Sequence, residues 1–126
     1  MKEIIKASNA PAAIGPYSHA VAMDGIVFTS GQLGMDPATG KLVEGGVAAQ
    51  AEQALKNLEN VLKAAGADMD TVVKTTVFVQ DLGDFATVNG IYNEHFKADF
   101  PARSCVQVAK LPAGALVEIE AIAFRK

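Results

Sequence analysis

The sequence predicts an α+β fold in which two helices pack on one face of a mixed β-sheet. Three observations predict this class. A long segment has the period of a half-buried helix, a β-branched segment follows it, and the predicted elements run strand, strand, helix, strand, helix, strand, strand. The length suits one domain over residues 1–126, since no linker, repeat or low-complexity segment interrupts the chain.

The predicted strands are rich in β-branched residues, and turn residues separate them. Residues 26–30 (IVFTS) form the first strand, and DPATG at 36–40 predicts a turn between extended pieces. The segment 72–79 is the clearest strand, and apolar alternation is repeated over 103–109 and 116–124.

Two segments have helical periodicity. From Val47 to Ala65, apolar residues recur on one face, and Gly66 is the expected C-terminal stop. Two pairs on the exposed face have favourable i,i+4 spacing: Glu52 with Lys56, and Glu59 with Lys63. Asp84 is the expected N-cap of the second helix. The apolar stripe of that helix comprises Phe85, Val88, Tyr92 and Phe96.

The strand at 72–79 predicts a partner subunit. Its alternation places Val73, Val77 and Val79 on one face, and Val72 and Phe78 on the other. Two helices cover only one face of a sheet, so the second apolar face needs another cover. Half of the residues are apolar before glycine is counted, whereas globular domains reach about 45–50% with glycine included. A subunit interface accounts for both observations.

Charge and composition narrow the function classes. The net charge is −3 and the pI about 5.3, so the chain lacks the basic patch that nucleic-acid-binding proteins need. The first residues lack the apolar core of a signal peptide, and no apolar stretch approaches the length of a membrane span. A single cysteine excludes an internal disulfide. These features predict a cytoplasmic protein that binds neither membranes nor nucleic acids.

The segment PARSC at 101–105 carries the first candidate residues. Alternation places Arg103 and Cys105 on one face, with Cα atoms about 6.6 Å apart. An arginine in an apolar strand needs either a nearby carboxylate, which would make it structural, or an anionic ligand suited to its planar fork. A nucleophilic Cys–His pair has little support, because lone cysteines are commonly buried packing residues.

Glu118 and Glu120 share a face of the last predicted strand. Both could be solvated, or one could be a general base if an apolar site raises its pKa towards neutrality. Asn89 borders the buried stripe of the second helix, and Tyr17 follows a Gly-Pro turn. Considered alone, Asn89 and Tyr17 fit local packing and hydrogen bonding better than a ligand pocket.

Taken together, several separated motifs resemble the Rid family, and its RidA branch most closely. The resemblance spans nearly the whole chain, with the motifs in the family's order, and PARSCV is the most specific of them. The motifs are APAAIGPYS at 10–18, FTSGQ at 28–32, KTTVFV at 74–79, DFATVN at 84–89, PARSCV at 101–106 and VEIEAIA at 117–123.

The resemblance implies a chorismate-mutase-like fold, a homotrimer with active sites between subunits, and hydrolysis of reactive 2-imino acids to 2-keto acids and ammonia. Such imines arise when pyridoxal-phosphate dehydratases act on threonine or serine. Arg103 is implied to bind the substrate carboxylate, and Glu118 to activate the attacking water with main-chain groups near Cys105. The residues implied to shape the pocket are Tyr17, Ser30, Gly31 and Asn89. No metal or organic cofactor is implied.

One position departs from the family pattern, and two other function classes remain open. Gly34 stands where many members carry proline, which bears on the rigidity of its loop and on substrate preference, but not on the reaction class. Some relatives are described as endoribonucleases or translation inhibitors, although the acidic pI counts against RNA cleavage here. A ligand sensor or a holdase-like protein would also suit an apolar pocket between subunits.

Overall fold

The computed structural model describes residues 1–126 as one mixed sheet and two helices. The strands are β1 (Glu3–Ile5), β2 (Ala20–Met23), β3 (Ile26–Thr29), β4 (Gln32–Leu33), β5 (Val72–Val79), β6 (Ala102–Gln107) and β7 (Val117–Phe124), and the helices are α1 (Gly46–Ala64) and α2 (Phe85–Phe96). The sheet order is β1-β2-β3-β7-β5-β6, and β4 continues the line of β3 along β7. Only β5 and β6 pair in parallel.

Both helices cover the same face of the sheet, as the sequence predicts. Leu55, Leu58 and Leu62 of α1 are fully buried in the core. The other face remains open, and its aromatic side chains Phe28 and Phe124 are 46% and 48% exposed. We call this surface the open face. Neither helix has the length and apolar character needed to cross a membrane.

A β-bulge corrects the predicted faces of β5. The register against β7 shifts between Val72 and Lys74, so one extra residue resets the alternation. Val72 therefore joins Val77 and Val79 in the core, and Val73 is 45% exposed. The prediction that grouped Val73 with Val77 and Val79 is wrong, because a bulge leaves no mark in an apolar pattern.

The N-terminal strands also differ from the prediction. β1 and β2 were not expected, and the extended piece expected after the 36–40 turn forms only an isolated bridge between Met35 and Leu42. Asp24 and Gly25 join β2 to β3, both with positive φ, which is the two-residue hairpin turn that Asp-Gly favours. That dipeptide is the signal from which the hairpin was predictable.

Helix α1 begins and ends within one residue of the prediction. The pair of Glu59 and Lys63 forms, with 3.3 Å between Oε2 and Nζ. The predicted pair of Glu52 and Lys56 is wrong, because Glu52 Oε2 contacts His95 Nε2 of α2 instead. This contact joins the two helices above the sheet.

The helix ends confirm one prediction and correct another. Gly66 follows α1 with φ +81°, the left-handed conformation expected of the stop residue. Asp84 occupies the N-cap position of α2, but its side chain makes no capping hydrogen bond. Asp81 caps the preceding 3₁₀ turn instead and accepts the backbone N–H of Gly83 at 2.8 Å.

Candidate functional site

The site residues predicted from the sequence form two groups on opposite faces of the sheet. Glu118 pairs with Phe78, and both point to the open face. Arg103 lies beside Thr75 on the face that the helices cover. Cys105 shares the face of Arg103, and Glu120 shares that of Glu118, as alternation predicts.

The first group lines a pocket of about 770 Å³ on the open face. We call it the open-face pocket. Its walls are the N-terminal segment, the bend between β3 and β4, the loop at 35–40 and the turn at 112–113. It brings together four of the residues predicted for the site: Tyr17, Ser30, Gly31 and Glu118. Glu120 also lines this pocket. Its other lining includes apolar residues that the sequence did not single out: Pro11, Ile14, Met35 and Pro112.

His19 holds the N-terminal wall of this pocket in place. Its buried ring accepts the backbone N–H of Ala7 at Nδ1, 2.9 Å away, and donates from Nε2 to the carbonyl of Pro11, 2.8 Å away. The hydroxyl of Ser30 donates to the carbonyl of Ser18 at 2.6 Å. Both side chains fix the segment that carries the pocket tyrosine, which gives Ser30 a positioning function in the wall.

Helix α1 holds the opposite wall. The fully buried Asn57 donates to the carbonyls of Leu33 and Met35 at 3.0 and 2.9 Å. Gly34 lies so near α1 that a β-carbon on it would stand 2.5 Å from the Cα of Gln50. The loop is therefore packed against the helix backbone at the position where many family members carry proline, and the missing side chain of Gly34 permits that packing.

Glu118 lies on the floor of the open-face pocket, and the pKa of its carboxyl group is raised. Burial raises the pKa of its carboxyl group, and the neighbouring Glu120 raises it further. A raised pKa is the direction of shift that suits a general base, because it makes the carboxylate a stronger proton acceptor.

The second group surrounds Arg103 at the edge strand β6. The Nη1 atom of Arg103 donates a hydrogen bond to Asn89 Oδ1 at 2.7 Å. The Cζ atom of Arg103 lies 4.9 Å from the ring centre of Tyr92 and 5.4 Å from that of Phe85. We call these four residues the arginine cluster. Arg103 forms no salt bridge with any carboxylate of the chain. The alternative in which Arg103 forms a structural ion pair is therefore not supported, because no carboxylate of the chain pairs with it.

Cys105 lies next to this cluster and packs against the core. Burial raises the pKa of its thiol, and the charge of Arg103 lowers it by a smaller amount. Neither histidine is available to activate it, since His19 is hydrogen-bonded in the N-terminal wall and His95 contacts Glu52. The geometry gives Cys105 no support as a nucleophile.

From the sequence, Phe85 and Tyr92 are predicted only as part of the apolar stripe of α2, and their contact with Arg103 is not predicted. The stripe itself carried no signal for this contact, because it requires knowing which strand lies under α2. No group of three or more histidine, cysteine, aspartate or glutamate side chains is arranged to hold a metal ion.

Comparison with known proteins identifies the family. The model of the endoribonuclease L-PSP family matches residues 7–125. The 2-iminobutanoate/2-iminopropanoate deaminase of Homo sapiens is 55% identical over 99% of this chain and 91% of its own length. The deaminase of the same name from Salmonella typhimurium is 53% identical over the whole of both chains.

A solved structure agrees with these matches. A Rid-family protein of unknown function from Yersinia pestis is 50% identical and superposes with a TM-score of 0.95, covering 98% of this chain and 99% of that one. The resemblance predicted from the motifs is confirmed by both kinds of comparison. The chain belongs to the endoribonuclease L-PSP family and, within it, to the RidA branch of the Rid proteins.

Proposed function

We propose that this protein hydrolyses reactive 2-imino acids to 2-keto acids and ammonia, and so clears by-products of pyridoxal-phosphate dehydratases. The observation that carries the proposal is the arginine cluster, a partly buried cation held by Asn89 and two rings without a carboxylate partner. Such a cation suits an anionic ligand. The curated relatives at 53–58% identity are named for this activity.

The lone free cysteine is consistent with a reducing compartment, and we place the reaction in the cytoplasm.

Arg103 binds the substrate carboxylate in this proposal. One nitrogen of the guanidinium is engaged by Asn89, and the remaining donors are free to form two parallel hydrogen bonds with a carboxylate. Because the carboxylate carbon of a 2-imino acid is bonded directly to the imine carbon, this contact also fixes the electrophile.

Glu118 acts as the base towards the attacking water. As the water oxygen bonds to the imine carbon, Glu118 accepts a water proton and the C=N electron pair moves to nitrogen, which takes up a proton. The resulting carbinolamine loses its hydroxyl proton to solvent, its amino group takes up the proton held by Glu118, the C–N bond breaks, and ammonia leaves as the C=O bond forms. Backbone groups of β6 near Cys105 assist, since every second residue of an edge strand points its N–H and C=O away from the sheet.

These two functions require more than one chain. Arg103 and Glu118 lie on opposite faces, two strands apart and three residues apart along the sheet, which places their Cα atoms about 14 Å from each other. A small imino acid bound by Arg103 cannot reach Glu118 of the same chain. We therefore propose that the arginine cluster of one subunit meets the open-face pocket of the next.

Such a contact joins two different surfaces, so it is heterologous and closes into a ring only at a defined subunit number. The expected ring is the homotrimer. In it, the exposed apolar side chains of the open face, Phe28, Val106 and Phe124, are covered by neighbouring subunits. Light scattering over a dilution series tests this assembly, and a stable folded monomer at micromolar concentration would contradict it.

The activity is tested by coupling the protein to a threonine dehydratase and following loss of the imine and release of ammonia. We expect the protein to accelerate ammonia release well above the rate of imine hydrolysis in buffer. An unchanged rate would overturn the proposal. Cleavage of RNA that persists in Arg103→Ala would indicate a different site or a contaminant.

Mixed assemblies test whether the site is shared. Arg103→Ala and Glu118→Gln are each expected to be inactive, but co-expression as differently tagged chains should restore activity. In a three-membered ring that contains both kinds of chain, one site in three combines an intact arginine cluster with an intact open-face pocket. Each variant co-expressed with a tagged copy of itself is the control. If mixed assemblies purified through both tags stay inactive, Arg103 and Glu118 do not act across subunits.

A further inference from the structure

The aromatic side of the arginine cluster has no assigned function. Arg103 lies over the rings of Tyr92 and Phe85, and both distances fall within the range of favourable cation–π contacts. The two rings differ in how firmly they are held. Tyr92 is buried in the core at 5% exposure, whereas Phe85 is 40% exposed at the start of α2.

Tyr92 is fixed at both ends of its side chain. Its ring packs on Phe96 with 4.5 Å between ring centres. Its hydroxyl shares a 2.7 Å hydrogen bond with the fully buried hydroxyl of Thr75. Thr75 is also the direct neighbour of Arg103 across the parallel β5–β6 pair. The strand that carries the arginine and the helix that carries the ring are thus locked together at this position.

We propose that Tyr92 is a positioning residue for Arg103. Its ring, oriented by Thr75, supports the guanidinium so that the donors not engaged by Asn89 remain directed at a ligand carboxylate. This inference rests on the proposed function, because it assigns Arg103 the carboxylate of a 2-imino or 2-keto acid. An unsupported arginine would lose its rotamer freedom only on binding, which weakens affinity.

The first experiment compares Tyr92→Leu with Tyr92→Phe, using 2-ketobutanoate as the probe. Tyr92→Leu removes the aromatic face, and we expect its Kd for 2-ketobutanoate to rise about tenfold. Tyr92→Phe retains the ring and should stay close to the wild-type Kd, although the loss of the Thr75 bond lowers its melting temperature. The midpoint of the acid limb of kcat/KM, which Glu118 governs, should not move in either variant.

Phe96→Leu is the matched control. It removes a similarly buried aromatic ring from the same helix, 8% exposed, and with it one packing partner of Tyr92, but it keeps the ring over which the Arg103 guanidinium lies, so we expect a smaller rise in Kd than in Tyr92→Leu. If Phe96→Leu weakens 2-ketobutanoate binding as much as Tyr92→Leu, or if Tyr92→Leu binds as tightly as the wild type, the proposal is overturned. Equal losses of affinity in Tyr92→Phe and Tyr92→Leu would overturn it as well.

A second measurement does not depend on turnover or on the stability of Tyr92→Leu. The chain contains two arginines, Arg103 and Arg125, so Arg125→Lys assigns both Nε–Hε signals in a nitrogen–proton NMR spectrum. Fluorinated phenylalanines at position 92 keep the ring shape and weaken its negative face. We expect the Arg103 signal to shift and the Kd to rise stepwise with the number of fluorines. An unchanged signal and Kd across this series would overturn the proposal.

The outcome also separates this inference from the proposed function. An Arg103 signal that depends on the ring at position 92, in a protein that does not accelerate imine hydrolysis, would sustain the aromatic support and reject the deaminase. If the protein is an active deaminase and its Arg103 signal does not change with the ring at position 92, the deaminase would be sustained and the aromatic support rejected.

Discussion

Gly31 lies directly against the side chain of Glu118. A β-carbon on Gly31 would stand 2.5 Å from Oε2 of Glu118 and 2.7 Å from its Cδ, well inside van der Waals contact. Gly31 does not have a positive φ, so its backbone conformation is open to any residue. What matters at position 31 is the missing side chain, which leaves the space that the Glu118 carboxylate occupies.

Gly31→Ala should therefore displace the proposed base without unfolding the protein, because the end of a glutamate side chain can swing aside. We expect kcat to fall by about one to two orders of magnitude, as a displacement of about 1 Å can cost a hundredfold. Turnover and melting temperature are measured on the same samples. Gly90→Ala is the control, since its new methyl group meets no atom within 4 Å. Wild-type turnover in Gly31→Ala would show that the position of Glu118 is not critical.

Glu118→Gln should keep the shape of the pocket and lose the base. We expect turnover to fall by about a hundredfold or more. In the wild type, kcat/KM should fall as the pH drops through the pKa of Glu118, which lies above the usual carboxyl value. Near wild-type turnover in Glu118→Gln would assign the base elsewhere, with Glu120 as the next candidate.

The same substitution should stabilise the protein near neutral pH. Because the pKa of Glu118 is higher in the folded than in the unfolded chain, the folded state binds this proton more tightly. The ionised carboxylate therefore destabilises the fold at pH 7, and that cost disappears as the pH falls through the raised pKa. Glu118→Gln should melt above the wild type at pH 7, and the two should converge below about pH 4. A lower melting temperature of Glu118→Gln at pH 7 would mean that a cation stabilises the carboxylate, such as Arg103 of the neighbouring subunit in the proposed ring.

Arg103→Ala should abolish useful activity and leave the assembly intact. Loss of two charge-assisted hydrogen bonds, at about 1.5–3 kcal/mol each, corresponds to a fall in kcat/KM of about two to four orders of magnitude. Arg103→Lys should recover only part of the lost activity, because an ammonium group lacks the planar fork of a guanidinium. Melting temperature and kcat/KM are compared on the same preparations. A variant that melts far below the wild type, or stays folded and fully active, contradicts the assignment.

Cys105→Ala should retain activity within about threefold, because the thiol is protonated at neutral pH and main-chain groups carry the proposed function of this position. The turnover of both proteins is measured before and after treatment with a thiol-alkylating reagent. Cys105→Ala has no other cysteine and serves as the control for that treatment. A loss of a hundredfold or more in a folded Cys105→Ala would show that the sulfur atom itself takes part in the reaction.

The sequence was sufficient to predict elements whose pattern is long and local. Helix α1, the shared face of Arg103 and Cys105, and the shared face of Glu118 and Glu120 follow from periodicity alone, and the structure confirms them. The bulge at Val73 was not predictable, since an inserted residue in an apolar strand has no compositional mark.

The division of the site needed the order of strands in the sheet. Alternation shows that two residues of one strand share a face, but not which face of a sheet that is. Arg103 and Glu118 are on different strands, and only the register through β5 shows that they point in opposite directions. Tyr92 was missed for the same reason, because its contact depends on which strand α2 crosses.

The placement of Arg103 and Glu118 on opposite faces has a genetic consequence under the proposed function. In a cell with two defective alleles, one altered in the arginine cluster and the other in the open-face pocket, mixed rings would contain some working sites. Such alleles should complement each other, whereas two alleles altered in the same group should not. A cross between strains carrying the two classes of allele would then map each substitution to one side of the subunit boundary.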